Sequence, residues 1–271
     1  MNYINLIVFG ISLILSYIAS PMLLDMFKSS GTTKLNYRKE NIPISMGLLF
    51  VLIQFISLSI ILIFRENSLE YIILYLFAIT LMGLTGLLDD LTGDEGIKGF
   101  KGHIKAFFKG KLTTGGLKAG IGFLISLFVS TFISDNLIQI VINTLLIALF
   151  TNLINLFDLR PGRALKLFIL ISIIMLFSNE TNEYNFVLYS FYGILFIYLQ
   201  LDLKGMALMG DIGSNVLGMT LGIYCGFTHS IIMKSIYLLI LIIIHIMAEK
   251  ISFTKIIENN KILNFIDKLG R

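Results

Sequence analysis

Nine apolar runs, each closed by charged residues or by Gly, Pro and Asn, divide the chain. They fall near residues 3–24, 42–64, 69–88, 115–133, 137–153, 164–177, 186–201, 212–227 and 231–248. A membrane-spanning helix needs about 20 predominantly apolar residues. The pattern therefore predicts an all-α, polytopic integral membrane protein with about nine transmembrane helices. The sixth and eighth runs are the shortest. No internal repeat or long linker interrupts the series, so residues 1–271 read as a single domain. The tail from Glu249 differs: Ile262, Phe265, Ile266 and Leu269 recur at i, i+3, i+4 and i+7, with Lys261, Lys268 and Arg271 on other faces. That spacing predicts an interfacial amphipathic helix in a cytoplasmic tail spanning 249–271.

Composition excludes several classes. Hydrophobic residues make up 56% of the 271 and charged residues 14%, whereas a soluble domain carries about 25% charged. A soluble enzyme, a disordered chain and a secreted disulfide scaffold are all poor matches. The single cysteine, Cys225, lies in an apolar run and reads as a buried structural thiol. The first run begins almost at once, without a basic leader, so no cleavable signal is expected. The net charge of +4 is a matter of sidedness and gives no reason to expect nucleic acid. Of the 21 Lys and Arg residues, all but Arg65 and Lys234 fall in one set of loops and the tail. Basic residues favour the cytoplasmic side, which predicts an N-terminus outside and a C-terminus in the cytoplasm of a cell-membrane protein. Charges are missing from the middle of the runs, whereas ion-coupled transporters keep ionisable groups there. Gln54, Gln139, Asn143 and His245 are the polar residues within spans and read as interhelical hydrogen-bond groups. Chemistry is therefore expected at the cytoplasmic surface.

Four segments on that side carry candidate chemistry: Asn36 to Gly47, Gly86 to Asp94 with adjacent Asp89 and Asp90, Asn152-Leu-Ile-Asn155-Leu-Phe-Asp158, and Gly210-Asp211-Ile-Gly213-Ser214-Asn215. Each has an ordinary reading alone. Paired carboxylates can be hydrated caps, Asn152 and Asn155 can cap one helical face, and Asp211 can be an N-cap. His103 lacks the second His or Cys that a metal site would need. Together they place carboxylates at the cytoplasmic ends of three spans. Hard oxygen donors without His or Cys suit Mg²⁺, which binds one or two carboxylates together with substrate phosphates. Lys101, Lys105, Lys109 and Lys111 can meet a pyrophosphate. Gly210 and Gly213 can let backbone N–H groups approach an anion.

These segments resemble the polyprenyl-phosphate N-acetylhexosamine-1-phosphate transferase superfamily, which includes phospho-N-acetylmuramoyl-pentapeptide transferase. The resemblance covers roughly residues 28 to 220, with the four segments in family order. Asn36 to Gly47 is similar to an N-x-R-K…P-x-x-G-G segment, with Met46 in place of the first Gly. Gly86 to Asp90 is similar to G-x-x-D-D, Asn152 to Asp158 to N-x-x-N-x-x-D, and Gly210 to Ser214 to G-D-x-G-S. The resemblance implies attack by a polyprenyl phosphate on the β-phosphorus of a UDP-sugar, with release of UMP, in cell-envelope glycan synthesis. It implies Asp89 and Asp90 as catalytic carboxylates and Asp211 as the Mg²⁺ ligand. Asn152, Asn155, Asp158, Lys105, Gly213 and Ser214 would contact substrate. A homodimer is possible, since family members can dimerise.

The chain departs from the family in two places. From Asp158 on the family usually reads D-G-L-D-G, whereas this chain reads Asp158-Leu159-Arg160-Pro161-Gly162, followed by Arg163. Pro161 replaces an acid and suits the opening of a helix. Arg160, Arg163 and Lys166 become candidates to bind phosphate or anionic lipid, or to anchor the positive-inside face. The His-rich loop and last span of family members are also missing. A non-catalytic relative that binds a polyprenyl lipid or an envelope-assembly partner is the alternative expectation.

Overall fold

A computed structural model describes residues 3–64, 68–93, 102, 105–106 and 108–271. Its helices, in chain order, are α1 (Tyr3–Ser29), α2 (Leu48–Leu62), α3 (Leu69–Thr92), α4 (Thr114–Phe132), α5 (Leu137–Phe157) and α6 (Arg163–Ser178). They continue with α7 (Asn185–Leu203), α8 (Gly210–Thr228), α9 (Ile231–Lys250), α10 (Phe253–Asn259) and α11 (Lys261–Lys268). A two-stranded hairpin, β1 (Thr33–Leu35) and β2 (Asn41–Pro43), lies between α1 and α2. Six of the described helices, α1, α3, α4, α5, α7 and α9, are long and apolar enough to cross a membrane. The protein is a membrane-embedded helical bundle. In hydrocarbon every backbone polar group must be satisfied within the protein, which is why apolar runs of this length become helices.

The remaining apolar runs become helices with distinct features. Within the second run, α2 spans only 15 residues, because residues 41–43 pair with β1 instead of joining the helix. The register sets Thr33 against Pro43 and Leu35 against Asn41. The eighth run becomes α8, whose residues from Ile212 to Gly226 are all buried. A helix at the centre of a bundle needs small residues more than apolar ones, since close approach of backbones supplies the packing. α8 is accordingly rich in glycine. A Cβ on Gly218 would meet the Phe150 carbonyl oxygen and, at 2.5 Å, the Thr151 Cα of α5. One on Gly222 would stand 2.6 Å from the Ile147 Cα. One on Gly86 of α3 would stand 2.6 Å from the Ile212 Cα. The helix thus lies directly against the backbones of α3 and α5.

Several buried polar side chains find hydrogen-bond partners, some of them across helices. Ser12 of α1 bonds Ser57 of α2 at 2.8 Å and Ser190 of α7 at 2.7 Å. Gln54 donates to the Val187 carbonyl at 3.4 Å, and Asn143 donates to Ser134 at 2.8 Å. His245 contacts the carbonyl of its own turn, Leu241, at 2.8 Å. Cys225 is buried and free.

The tail forms two short helices where one was expected. Asn260 is extended at φ −101° and ψ 119° and breaks the run. Its side-chain oxygen then accepts from Ile262 N and Leu263 N at 3.0 and 3.1 Å, starting α11. An Asn in this position satisfies two otherwise orphaned amides.

Gly218→Ala should lower the stability of the detergent-solubilised protein by about 1–3 kcal/mol through overpacking against α5. Gly10→Ala, where a Cβ meets nothing within 4 Å, should leave the thermal midpoint unchanged or slightly raised, as Ala favours helix by up to about 1 kcal/mol. Equal midpoints for the two variants would contradict this packing.

Candidate functional site

The hairpin brings the first motif to the fourth. Asn36 shapes the turn: its Oδ1 accepts from Arg38 N and Glu40 N at 2.8 and 3.0 Å. Its Nδ2 donates to Glu40 at 2.9 Å and to the Gly205 carbonyl at 3.0 Å. The chain beyond β2 then pairs with the entry to α8. Leu208 N donates to Pro43 O at 2.9 Å, Met46 N to Leu208 O at 3.0 Å, and Gly47 N to Met209 O at 2.9 Å. A Cβ on Gly47 would collide with Gly213, so both glycines are needed for the two helix starts to touch.

Asp90 locks this junction. Its Oδ1 accepts from Asp211 N at 2.8 Å and its Oδ2 from Ser45 Oγ at 2.9 Å. Ser45 sits at φ +67°, a left-handed conformation that costs a non-glycine residue about 1–2 kcal/mol and that turns its hydroxyl onto Asp90. Gly210 also has positive φ, at +69°, and any Cβ there would strike the Asp90 carboxylate. The anion at the N-terminus of α8 is therefore Asp90 itself, which matches the preference of that helix end for negative charge. Gly213 N bonds Met209 O at 3.3 Å, so its role here is packing against Gly47.

Beside this junction Lys118 of α4 stands between two carboxylates. Its Nζ lies 2.7 Å from Asp89 Oδ2 and 2.6 Å from Asp211 Oδ2. The lysine side chain is only 16% exposed, Asp89 13% and Asp211 29%. Thr113 starts α4, accepting from Gly116 N at 3.1 Å, and thereby fixes where Lys118 emerges. Ser214 donates to Asn155 Oδ1 at 3.1 Å, tying the third motif to the fourth.

These groups open into one cleft of about 590 Å³. Asp89, Asp90, Asn155, Asp158, Arg160, Asp202 and Asp211 line it, with Lys34, Asn36 and Tyr37 of the hairpin. Five carboxylates thus face a cleft whose other charged lining residues are Lys34 and Arg160. Burial, together with the charges of Asp202, Asp211 and Asp90, holds the Asp158 carboxyl well above the usual carboxylate range.

The other residues singled out from the sequence lie elsewhere. Lys105 and Asn152 are exposed and are not part of the cleft lining. Arg163 is buried, 6% exposed, and its guanidinium is engaged by Asp267 at 2.8 and 3.0 Å. Lys166 donates to the carbonyls of Ile266, Asp267 and Leu269. The basic cluster that follows Asp158 therefore serves mainly to hold the tail, with Arg160 alone reaching the cleft. Asp94, Lys98, Lys101 and His103 lie outside the described residues.

Two residues of the site, Lys118 beside the cleft and Asp202 in its lining, escaped the sequence reading. Lys118 was counted with the basic loop residues, although it falls inside the fourth apolar run. A lysine there is costly unless paired, and that was the available signal. Asp202 closes α7 as a lone acid with no motif around it. Its Oδ2 accepts from Gly162 N at 2.5 Å, holding the turn that follows Asp158.

No protein-family model matches the chain, and no curated protein matches it either. The functional reading therefore rests on the residues and their geometry.

The donor chemistry of the cleft fits a magnesium ion in kind. Asp89 and Asp211 direct carboxylate oxygens at a single point that a cationic nitrogen occupies, and hard oxygens are what Mg²⁺ takes. Among the described residues no three His, Cys, Asp or Glu side chains converge tightly enough to form a complete cage. A cation here would need water or substrate oxygens to finish its shell, which is the usual habit of Mg²⁺.

The raised Asp158 carboxyl has a pH signature. The unfolded chain releases this proton near pH 4, while the native state keeps it, so the native state binds more protons as pH rises from there. Stability supplied by Asp158 is thus present below about pH 4 and is lost as pH climbs toward its native value. Asp158→Asn should remove this term, so the difference in thermal midpoint between variant and wild type should grow in the variant's favour from pH 5 to pH 8 (a range chosen to lie above ~4). A constant difference would contradict the assignment.

Proposed function

We propose that the protein transfers a sugar-1-phosphate, an N-acetylhexosamine-1-phosphate by the family resemblance, from a UDP-sugar to a polyprenyl phosphate at the cytoplasmic face of the cell membrane, releasing UMP. The observation that carries this reading is the cleft itself: Asp89, Asp90, Asp158, Asp202 and Asp211 gathered at one end of the bundle. Such a cleft accepts a phosphate-bearing substrate only with added positive charge, because like charges at close range disfavour each other. That requirement fits a divalent cation together with Lys118. In the same reading the bundle crosses the membrane nine times, with α2, α6 and α8 as the shorter or more buried spans.

Phosphoryl transfer depends on positioning and charge neutralisation more than on covalent chemistry. Asp211 would hold Mg²⁺, with Asp89 beside it, and the bound ion supplies positive charge against the diphosphate. Lys118, which the ion would displace from between Asp89 and Asp211, would supply a second positive charge beside it. Asp89 would orient the attacking phosphate oxygen. Asp90 has both oxygens engaged by Ser45 and Asp211 N and acts as a positioning residue for the α8 end. Asn155, held by Ser214, and Asp158 face the nucleotide side. In its protonated form the Asp158 carboxyl, whose pKa burial raises, could donate a hydrogen bond to a phosphate or uracil oxygen. The apolar flanks of the bundle suit a polyprenyl chain.

UMP release is the test. Protein in detergent with Mg²⁺, undecaprenyl phosphate and a panel of UDP-sugars should release UMP with one of them. Asp89→Asn and Asp211→Asn should each reduce the rate by about 10²-fold or more, the scale on which removing an electrostatic group acts. Release that ignores lipid or metal would contradict the proposal. Silence across the panel, from folded protein that still binds the lipid, would favour the non-catalytic relative.

A further inference from the structure

The tail combines two faces that ask for different partners. On one face of α11, Asp267 is 8% exposed and receives Arg163 at 2.8 Å and Arg271 at 3.0 Å. Thr254 of α10 accepts from the same guanidinium at 3.0 Å. Lys166 gathers the carbonyls of Ile266, Asp267 and Leu269 at 2.8, 3.0 and 2.8 Å, which satisfies the C-terminal end of the helix. Arg271 donates to the Pro161 carbonyl at 2.8 Å. This face is fully engaged with the segment from Pro161 to Lys166.

The other face has no partner among the described residues. Ile262 is 71% exposed, Phe265 67% and Leu269 57%, with Ile266 beside them. Lys255, Lys261 and Lys268 are exposed around it, as is Lys250 just before it. The exposed acids of the tail are Glu249 and Glu258, and Glu258 faces Arg160 at 3.8 Å. The tail also leaves from α9, where only Lys234 and Leu241 are buried, so it begins at the lipid-facing side of the bundle. An apolar stripe set among lysines, next to a lipid-exposed helix and at the end where the cleft opens, matches a negatively charged membrane surface in both charge and hydrophobicity.

The seat of the tail is continuous with the cleft. Asp158, Leu159, Arg160 and Pro161 form one wall of it, and the next residue, Gly162, is held by Asp202 on the inner side. The tail grips Pro161, Arg163 and Lys166 on the outer side.

We propose that the exposed face of α11 binds the anionic lipid surface beside the cleft, and that the Arg163–Asp267 contact transmits this seating to the 158–162 wall as a strap. The inference does not depend on what the cleft binds. Arg163 and Asp267 act as positioning residues for that wall.

The test uses the full-length chain in lipid nanodiscs of phosphatidylcholine alone or with phosphatidylglycerol. A Cys225→Ala background carries either Phe265→Cys or Asn259→Cys, labelled with an environment-sensitive fluorophore. The label at 265 should shift to the blue and be quenched by a shallow nitroxide lipid, about twofold more with phosphatidylglycerol present. The label at 259 should stay in water. Amide exchange of residues 159–163 in the unlabelled protein should slow by about tenfold on anionic nanodiscs. That lipid effect should vanish in Asp267→Asn, which unhooks the strap, and in Ile262→Glu/Phe265→Glu, which leaves the strap but removes its apolar face. A label at 265 that remains aqueous on anionic lipid, or disulfide cross-linking between two copies of the unlabelled Phe265→Cys variant, would overturn the proposal in favour of a protein partner. Exchange at 159–163 that is indifferent to lipid would overturn the strap.

Discussion

Everything at the mouth of this bundle turns on one electrostatic constraint: several carboxylates are held together where water is scarce. Asp89 and Asp211 share the ammonium of Lys118, and Asp90 is hydrogen-bonded by the backbone of α8 and by Ser45. Asp202 is tied to Gly162, and burial with the neighbouring carboxylates raises the Asp158 carboxyl above the usual carboxylate range. Each acid has a different solution to the same problem. Removing any one partner would leave a poorly solvated charge, which is more costly than the pair is favourable. On the proposed reading, this arrangement is what would make the cleft receptive to an added cation and, through it, to phosphate.

The packing of the bundle makes that gathering possible. Between helices in lipid the hydrophobic effect is weak, and close backbone contact takes its place. α8 uses glycine for this along its length, against α3 at Gly86, against the start of α2 at Gly47 and Gly213, and against α5 at Gly218 and Gly222. Because α8 sits between α3 and α5, its first turn is brought beside Asp89, Asp90 and Asn155. The same closeness that stabilises the centre of the membrane region therefore builds the site at its end.

Apolar periodicity made the helices readable in the sequence, because a run of about 20 residues in hydrocarbon has few other options. The four motifs were readable as carriers of Asp89, Asp90, Asn155, Asp158 and Asp211, all of which line the cleft. Sequence spacing alone did not reveal the partners. Lys118 looked like one more basic loop residue, since nothing local marks which of many lysines turns inward. Asp202 had no neighbours to announce it. Arg163 and Lys166 looked like anion ligands because their true partners, Asp267 and the α11 carbonyls, lie about 100 residues away in the chain. The hairpin was hidden because β1 lies in a polar loop and β2 at the very start of the second apolar run, and strands of three residues leave too little pattern to read. Asn260 broke the tail by a side-chain cap that periodicity does not see.

The central claim is that Asp89 and Asp211 form a cation site which Lys118 and a divalent metal share. Mn²⁺ binding followed by electron paramagnetic resonance, in wild type, Lys118→Met and Asp211→Asn, tests it most directly. The account predicts one saturable Mn²⁺ per wild-type chain, binding about tenfold tighter or more in Lys118→Met, where the competing ammonium is gone, and loss of the site in Asp211→Asn. Unchanged binding in Asp211→Asn, or weaker binding in Lys118→Met, would contradict it.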